Sequence, residues 1–422
     1  MIRIASRGLA LAVVATTLAA CGGGGNTVTA RSGSAAPAAK SDGVLTVGTL
    51  LPQTGSLAFL GPPEFAGVDL AVKEINAAGG VLGKPVVKYD TDSGDTTTNI
   101  ASQSVDKLLA QKSDAIIGAA SSSVSLSVID KITGAGVVEF SPANTSDTFS
   151  TINDRGLYFR TSPPDKLQGR VLGDMIVADG SDTVGIMAMQ DSYGTGLANN
   201  VAKTVQDGGA QVVARADYDP KATDFSAEVS QLKAKNPKAI VLVGFEETAK
   251  VIQELVKQGL TADTHKWYMV DGNTSNTNYL QMPKGTLEGV KGTVPGAASP
   301  QGFQAKLKQI NPKLKDFSYS PEAYDAMNLI ALAAEAAKSD AGVAIAAKLA
   351  DVSKGGEKCK DFKSCDALLK AGKDIDYDGV SGPVEFNSVG DPAVATIGIY
   401  QYGPGNTYPT KAIEYRTGDI AG

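Results

Sequence analysis

Short apolar runs alternate with amphipathic segments of helical period along most of this chain, and this rhythm limits how the chain can fold. Residues 44–51 form an apolar run that predicts a strand, and a helix follows from Pro62 and Pro63. The apolar face of that helix consists of Phe65, Val68, Val72 and Ile75. Strands that alternate with helices imply parallel sheets covered by helices on both faces. We therefore predict an α/β protein.

The alternation occurs twice along the chain. After the first helix ends at Gly79-Gly80, the first unit is predicted to have strands at 85–89, 115–117 and 137–140 and helices at 99–110 and 122–134. After Ser162-Pro163-Pro164, the second unit is predicted to have helices at 165–178, 195–207, 224–234 and 246–258 and strands at 183–189, 211–216, 239–243 and 267–270. Two further helices are predicted at 300–310 and 321–338.

Two units of similar length predict two lobes, each built on a Rossmann-like parallel sheet. Because the chain continues far beyond the second unit, we expect it to cross back between the lobes. The first lobe is predicted at 44–161 plus 296–385, and the second at 162–295 plus 386–422.

Three segments would then join the lobes as a hinge, near 161–164, near 294–296 and after Gly382. Ligands of open α/β sheets bind at the carboxyl ends of the strands, so the site is predicted in a cleft between the lobes. This arrangement favours a small-molecule receptor or a two-domain enzyme.

The start of the chain has the pattern of an export signal. Arg3 and Arg7 precede an apolar run over 8–20 that is too short to span a bilayer, and the run ends on small residues before Cys21. We interpret residues 1–20 as a lipoprotein signal peptide and Cys21 as the lipidated residue; the alternative is an ordinary secreted protein with a free cysteine. Residues 21–43, rich in Gly, Ser and Ala, are predicted to be a flexible tether.

The net charge and the hydropathy of the chain limit the kinds of molecule that it can bind. Removal of Arg3 and Arg7 with the signal lowers the formal net charge from −6 to −8. An acidic chain is a poor candidate for binding nucleic acid, which favours basic patches. No other segment is apolar enough to span a membrane. We expect an extracytoplasmic protein, anchored to a membrane by lipid and monomeric, that uses no cofactor.

Cys359 and Cys365 are the two cysteines that remain after Cys21. A close pair in an oxidising compartment is typical of a disulfide, here one that fixes a local turn. The alternative is a redox or metal pair, but the spacing is not CxxC and the single histidine, His265, is remote in sequence. We interpret His265 as a surface residue of a polar turn.

Two loops in the first unit carry polar groups where the cleft is expected. The loop 118–123 follows a strand and begins a helix, so its serine hydroxyls and free N–H groups suit a carboxylate. The serine run alone is equally consistent with a simple N-cap. The loop 141–145 also follows a strand, and its carbonyl and hydroxyl oxygens suit an ammonium group.

A third loop, Asp271-Gly272-Asn273, follows a strand of the second unit. A carboxylate at this position can hold an ammonium group by a charge-assisted hydrogen bond. The alternative is an ordinary turn aspartate before a glycine.

The order of elements and a series of short motifs resemble the branched-chain amino-acid-binding proteins of ABC importers, which have the type I periplasmic-binding-protein fold. The resemblance extends over nearly the whole chain from Val44 to the C-terminus. The motifs that carry it are Gly48-Thr49-Leu50-Leu51-Pro52-Gln53-Thr54-Gly55, Glu74-Ile75-Asn76-Ala77-Ala78-Gly79-Gly80, Tyr89-Asp90-Thr91-Asp92, residues 118–123, Ser141-Pro142-Ala143, Asp191-Ser192-Tyr193-Gly194 and Gly379-Val380-Ser381-Gly382-Pro383.

The resemblance implies a binding protein, not an enzyme, and roles for seven residues. Ser122 and Thr145 would bind the ligand's carboxylate, and the Ala143 carbonyl and Thr145 would lie near its ammonium group. Asp271 falls where the family often has a glutamate that pairs with the ammonium. Tyr193 and Phe245 would close over the ligand from the second lobe, and Tyr319 falls near an aromatic residue that faces the ligand side chain.

Three positions depart from the family pattern. Asp271 is one methylene shorter than glutamate, Phe245 replaces a tyrosine, and Leu60 stands beside Phe59 where an aromatic residue can occur. We predict an amino acid, branched-chain or related, that is delivered to an ABC permease. The alternatives are amide, urea or aromatic-acid ligands, or a sensor that presents its liganded form to a signalling partner.

Residues 374–385 match the calcium-loop pattern D-x-D-x-D-G-x5-E. Ser381 occupies a position that is normally apolar, Pro383 interrupts the loop, and the segment after Glu385 cannot form the exiting helix. We therefore predict no metal site in this segment.

Overall fold

The computed structural model describes residues 41–420. The predicted signal peptide, the lipidation site Cys21 and most of the predicted tether lie outside the described residues. None of the helices within residues 41–420 combines the length and the apolar character that a membrane crossing requires.

The strands fall into two large sheets and one small ribbon. In chain order they are β1 (Thr46–Leu51), β2 (Val87–Asp92), β3 (Ala115–Gly118), β4 (Val138–Ser141), β5 (Tyr158–Arg160), β6 (Thr183–Met189), β7 (Gln211–Tyr218), β8 (Ala239–Val243), β9 (Lys266–Met269), β10 (Lys291–Pro295), β11 (Glu357–Cys359), β12 (Ile375–Tyr377), β13 (Val394–Gln401) and β14 (Glu414–Asp419).

The helices up to residue 258 alternate with these strands as the hydrophobic pattern predicts, whereas the helices at 342–352 and 362–370 were not predicted. They are α1 (Gly61–Ala77), α2 (Ile100–Ala110), α3 (Ser122–Gly134), α4 (Asp165–Ala178), α5 (Ser192–Asp207), α6 (Ser226–Lys235), α7 (Thr248–Gln258), α8 (Phe303–Ile310), α9 (Ser320–Ala337), α10 (Gly342–Val352) and α11 (Phe362–Lys370).

The first sheet is parallel throughout, with strand order β2-β1-β3-β4-β5. Its two faces enter separate apolar clusters because successive strand residues point in opposite directions. Ile117 packs in a large cluster with α1, α9 and α10, whereas its neighbour Ile116 packs in a smaller cluster with α2 and α3. This sheet and its helices are called the first lobe below.

The second sheet has the order β14-β13-β10-β9-β8-β6-β7. Strands β6 to β10 pair in parallel, and only β13 runs antiparallel, to both β10 and β14. This sheet and the helices α4 to α7 are called the second lobe. The structure therefore confirms the predicted α/β class with two parallel-sheet lobes.

The chain passes between the two sheets three times, after β5, after β10 and before β13. Phe386 still packs in the core of the first lobe, and Val394 already begins a strand of the second sheet. The exact lobe boundaries and the use of these crossings as a hinge stay predictions.

Three details differ from the sequence expectations. Strand β5 was not predicted, because three residues are too few to show a period. Strand β2 is Val87–Asp92 and not 85–89, and α5 begins at Ser192 and not at 195. Asp191 accepts a hydrogen bond from the N–H of Gly194 (2.7 Å), and this N-cap is the signal that marks the earlier start.

One prediction on the C-terminal part is confirmed. Cys359 and Cys365 form a disulfide bond between β11 and α11. The calcium-like segment does not form a cation loop: part of it is β12, and Asp325 of α9 accepts hydrogen bonds from the Val380 N–H (3.1 Å) and the Ser381 N–H (2.7 Å). Within residues 41–420 no group of three or more His, Cys, Asp or Glu is placed to hold a metal ion.

The start of the described chain is held on the first lobe. The N–H groups of Asp42, Gly43 and Val44 all donate to Oδ2 of Asp340, at 3.1, 2.8 and 3.0 Å. The end of the predicted tether is thus attached beside the beginning of β1.

Candidate functional site

The loop after β3 places a set of small polar groups at the carboxyl end of the first sheet. It turns at Gly118, whose φ is +123° and where a Cβ would lie 2.0 Å from the Leu50 carbonyl oxygen, so only glycine fits. Ser121 then caps α3 by accepting a hydrogen bond from the Val124 N–H (3.5 Å). The Oγ of Ser122 accepts a hydrogen bond from the Ser146 N–H (3.2 Å) in the neighbouring loop.

The loop after β4 is cross-linked to the loop after β3. The Ser141 hydroxyl donates to the Ala119 carbonyl (2.7 Å), and the Asn144 amide donates to the carbonyls of Ala119 (3.0 Å) and Ala120 (2.9 Å). These buried bonds fix the positions of Ala143 and Thr145 relative to the serines.

Arg160 supports the same loop from behind, although the sequence alone did not single it out. Its guanidinium is fully buried, pairs with Asp391 (2.7 Å) and donates to the carbonyls of Asn144 (3.1 Å) and Ser146 (2.8 Å). A buried charge is stable only when it is paired and fully hydrogen-bonded, as here. Arg160 thereby ties the loop to the third crossing of the chain.

The second lobe contributes side chains from the ends of three neighbouring strands. Tyr193 follows β6, Phe245 follows β8 and Asp271 follows β9. The rings of Tyr193 and Phe245 stack with their centroids 5.4 Å apart. Because β6, β8 and β9 are adjacent in the sheet, their carboxyl ends bring these side chains together.

Asp271 lies at the centre of the contact between the lobes. Its Oδ1 accepts a hydrogen bond from the Tyr193 hydroxyl of the second lobe (2.7 Å), and its Oδ2 accepts one from the Tyr319 hydroxyl of the first lobe (2.6 Å). Burial raises the pKa of the Asp271 carboxyl, while the two phenol hydrogen bonds oppose that rise. The phenols therefore stabilise a carboxylate in a site that is nearly closed to water.

Tyr319 owes its position to an uncommon backbone conformation. It precedes α9 with a φ of +59°, in the left-handed region that non-glycine residues rarely adopt. Backbone conformations of this kind are concentrated at functional sites. Here it directs the ring of Tyr319 across the cleft to Asp271.

A second carboxyl, that of Asp165 at the start of α4, is buried near Asp271 but does not line the cavity. Its N–H donates to the Thr145 carbonyl (2.6 Å), and the residue is fully buried. Burial raises the pKa of the Asp165 carboxyl well above its usual value, and the charge of Asp271 raises it further. A positively charged ligand group in this region would offset both effects.

These loops line a narrow cavity of about 10 Å³ between the lobes. All seven residues that the resemblance marks as ligand-binding line it, together with five others that complete the wall: Leu57, Leu60, Ala120, Ser121 and Gly272. Leu57 was not predicted, although it follows β1 and the same strand-end rule applies to it. Phe59, the neighbour of Leu60, does not line this cavity and packs instead against the adjoining core.

The rim of the cavity is closed by polar contacts between the lobes. The Ser123 hydroxyl donates to Asp191 (2.8 Å), and the Ser146 hydroxyl donates to the Ser192 carbonyl (2.9 Å). The structure thus shows the lobes in contact around the site. The imidazole of His265, by contrast, bonds with the nearby Thr264 and Asn236, and His265 does not line the cavity.

Comparison with known proteins identifies the family. The sequence profile of a family described as periplasmic binding protein matches residues 44–406. The chain belongs to this family. Membership implies an extracytoplasmic binding protein and agrees with the prediction that the chain is not an enzyme.

One curated relative is similar along most of its length. The Leu/Ile/Val-binding protein homolog 3 of Brucella melitensis is 26% identical over 368 residues, which cover 86% of this chain and 92% of the relative.

Two solved structures of the family share the fold at low sequence identity. The branched-chain amino acid transporter substrate-binding protein LivJ of Streptococcus pneumoniae, in complex with isoleucine, superposes with a TM-score of 0.72 at 22% identity and covers 89% of this chain and 99% of its own. An ABC transporter solute-binding protein of R. palustris, in complex with benzoate, gives a TM-score of 0.68 at 18% identity and covers 88% and 96%.

Proposed function

We propose that this periplasmic binding protein captures a small amino acid between its lobes and delivers it to an ABC permease. The observation that carries the proposal is the Asp271 carboxylate, held by a phenol from each lobe, opposite the hydroxyls of Ser122 and Thr145. A zwitterion complements both sides of this cavity. Its ammonium group pairs with Asp271, and its carboxylate accepts hydrogen bonds from the hydroxyls and the N-terminus of α3.

The apolar part of the wall supports a branched or similar aliphatic side chain. Leu57 and Leu60 come from the first lobe, and the stacked rings of Tyr193 and Phe245 come from the second. The Brucella relative carries a Leu/Ile/Val-binding name and the Streptococcus structure contains isoleucine, which supports the same class of ligand.

Aromatic acids are the second candidate, because a neighbour in the fold contains benzoate. The buried carboxyl of Asp271 favours the amino acid, since an anion without a positive group would meet an acidic neighbour in a dry cavity. We therefore expect benzoate to bind more weakly than isoleucine.

Calorimetric titration of the chain lacking residues 1–20 tests the ligand class. We expect heat of binding with leucine, isoleucine or valine, a smaller response with alanine and phenylalanine, and none with urea or benzoate. The charge-neutral variant Asp271→Asn should lose this binding, whereas Asp263→Asn, on an exposed turn, should keep it. If benzoate binds and no amino acid does, the proposed ligand class is wrong.

Anchoring and delivery need a separate experiment. We propose that Cys21 carries lipid and that the chain works at the membrane surface. Radiolabelled palmitate should enter the wild-type chain in cells and should not enter Cys21→Ser. Cells that produce Cys21→Ser should also take up labelled isoleucine more slowly, and unchanged labelling would contradict the anchor.

A further inference from the structure

A second cavity lies behind the cleft, where the second crossing of the chain meets both lobes. Its volume is about 60 Å³, and it is called the hinge cavity below. The crossing contributes residues 294–296, the segment before α9 contributes Phe317 and Tyr319, and the second lobe contributes Tyr400, Tyr408 and Tyr415. Tyr319 lines both this cavity and the ligand cleft.

Glu322, in the first turn of α9, is the unusual residue of the hinge cavity. It is only 2% exposed, and within residues 41–420 its carboxylate forms no ion pair and accepts a hydrogen bond from its own backbone N–H but from no other side chain. A Cβ at Gly296 would lie 2.9 Å from Glu322 Oε1, so the carboxylate lies against the backbone of the crossing. Buried carboxylates normally have a partner on another residue, and this one faces the cavity instead.

The wall around Glu322 contains one further carboxyl, several aromatic rings and several neutral polar side chains. Asp316 shares the cavity, and its Oδ2 receives only long hydrogen bonds of 3.4 Å from Tyr408 and from Asn276. The one cation in the wall, Lys315, is exposed at the rim and belongs to no ion pair among the described residues.

The tyrosines form an angled aromatic wall beside these carboxyls. The ring centroids of Tyr400 and Tyr408 are 5.0 Å apart with an interplanar angle of 55°. Aromatic faces attract organic cations, and combinations of such rings with a carboxylate recognise ammonium groups. The absence of a three-ligand acidic or histidine cluster among the described residues makes a metal ion a poor alternative.

We propose that the hinge cavity binds a small organic cation with an ammonium group, with Glu322 as its counter-ion and the tyrosine rings as its wall. The site is independent of the ligand cleft in its chemistry. Because both lobes and the crossing line it, an occupant would contact all three parts of the molecule that move if the lobes open.

The protonation of Glu322 gives the site a distinctive pH dependence. Burial, together with the charge of Asp325 on the same helix, raises the pKa of Glu322 to about 8. Glu64 of α1, which faces Glu322, also has a pKa raised by burial and by the charge of Glu322. A cation must therefore displace a proton at neutral pH, so its affinity should increase as the pH rises towards 8.

Calorimetry with choline tests the proposal in the absence of any amino acid. The neutral isostere 3,3-dimethyl-1-butanol has the same shape without the charge and serves as the matched ligand. We expect choline to bind, with proton release detected as a dependence of the heat on the buffer, and the isostere to bind at least tenfold more weakly. No binding of choline, or equal binding of both compounds, would overturn the proposal.

Variants locate the binding within the molecule. Glu322→Gln should weaken choline binding at least tenfold and remove its pH dependence, while Glu288→Gln, at an exposed position, should leave both unchanged. If Glu322→Gln does not fold, Tyr415→Ala at the half-exposed edge of the wall replaces it as the test, with an expected loss of several-fold, and unchanged binding would overturn the proposal. Asp271→Asn should leave choline binding intact; a loss there would place the cation in the cleft and contradict the proposal.

Discussion

The ligand cleft and the hinge cavity both contain a buried carboxyl beside tyrosines, but the surroundings of the two carboxyls differ. Asp271 accepts a phenol hydrogen bond on each oxygen, one from each lobe. Glu322 lines its cavity together with four tyrosines and has no ion-pair partner within the described chain. A buried carboxyl beside tyrosines can therefore be hydrogen-bonded by both lobes, as Asp271 is, or lie without an ion-pair partner among the described residues, as Glu322 does.

The largest effect that would distinguish Glu322 from Asp271 is on the pH dependence of the free energy of unfolding. The folded-state pKa of Glu322, about 8, lies above its unfolded value, so the folded state holds a proton that the unfolded state has lost. This contribution is fully present below the unfolded pKa and is lost as the pH rises through about 8. Urea unfolding should therefore show a free energy of unfolding that falls between pH 5 and 8, by on the order of 4 kcal/mol from this group.

The matched variant for this measurement is Glu322→Gln, which cannot ionise. Its stability should fall less over the same pH range, because only other buried carboxyls such as Glu139 remain. Parallel curves for the wild type and the variant would show that Glu322 does not differ from an ordinary carboxyl.

The next largest effect is expected for ligand binding in the cleft. Asp271→Ala removes the group that both phenols and the proposed ammonium require, and it leaves their polar atoms without a partner. Truncating one member of a buried charged pair costs about 2–5 kcal/mol, which corresponds to a loss of affinity of roughly 30-fold or more. Calorimetry with isoleucine measures this, and the surface variant Asp263→Ala should bind normally.

A smaller effect is expected from the phenol that the two cavities share. Tyr319→Phe removes one of the two hydrogen bonds to Asp271, and hydrogen bonds to charged groups contribute about 1.5–3 kcal/mol. We expect isoleucine affinity to fall roughly tenfold or more. Tyr415→Phe, in the wall of the hinge cavity alone, is the control, and an equal loss in both variants would contradict the distinction between the cavities.

The smallest predicted effect on ligand binding concerns the hydrogen bonds between the lobes at the rim of the ligand cleft. Ser123→Ala removes the hydrogen bond to Asp191 that joins the lobes, and such a bond contributes about 1 kcal/mol, or roughly fivefold in affinity. Ser127→Ala is the matched control, because that hydroxyl donates only to the Val124 carbonyl of its own helix. Stopped-flow measurements should show the loss as faster ligand release, and identical release rates would exclude a role for this contact in closure.

The sequence predicted the parts of the fold that depend on local pattern. The alternation of strands and helices, and the loops at strand ends, follow from hydrophobic period and turn residues. Together with the family resemblance, these patterns singled out seven residues, and all seven line the cleft. The disulfide between Cys359 and Cys365 was likewise accessible from spacing and compartment.

The features that the sequence did not predict depend on contacts between residues far apart in the chain. Arg160 and Asp391 are separated by 231 positions, and nothing in either segment indicates their pairing. Glu322 occupies the first turn of a helix, where an acidic residue is ordinary. Glu322 becomes a buried carboxyl without an ion-pair partner among the described residues only because α9 packs against the second crossing.

The discontinuous first lobe has a consequence for biosynthesis. Its strands β1 to β5 are made before residue 161, but α9, which covers one face of that sheet with α1, begins at Ser320. A ribosome adding about 5–20 residues per second leaves the part of that face under α9 uncovered for roughly 10 to 30 seconds. During this interval the nascent chain exposes apolar surface that chaperones bind, and the second lobe is synthesised before the first can be completed.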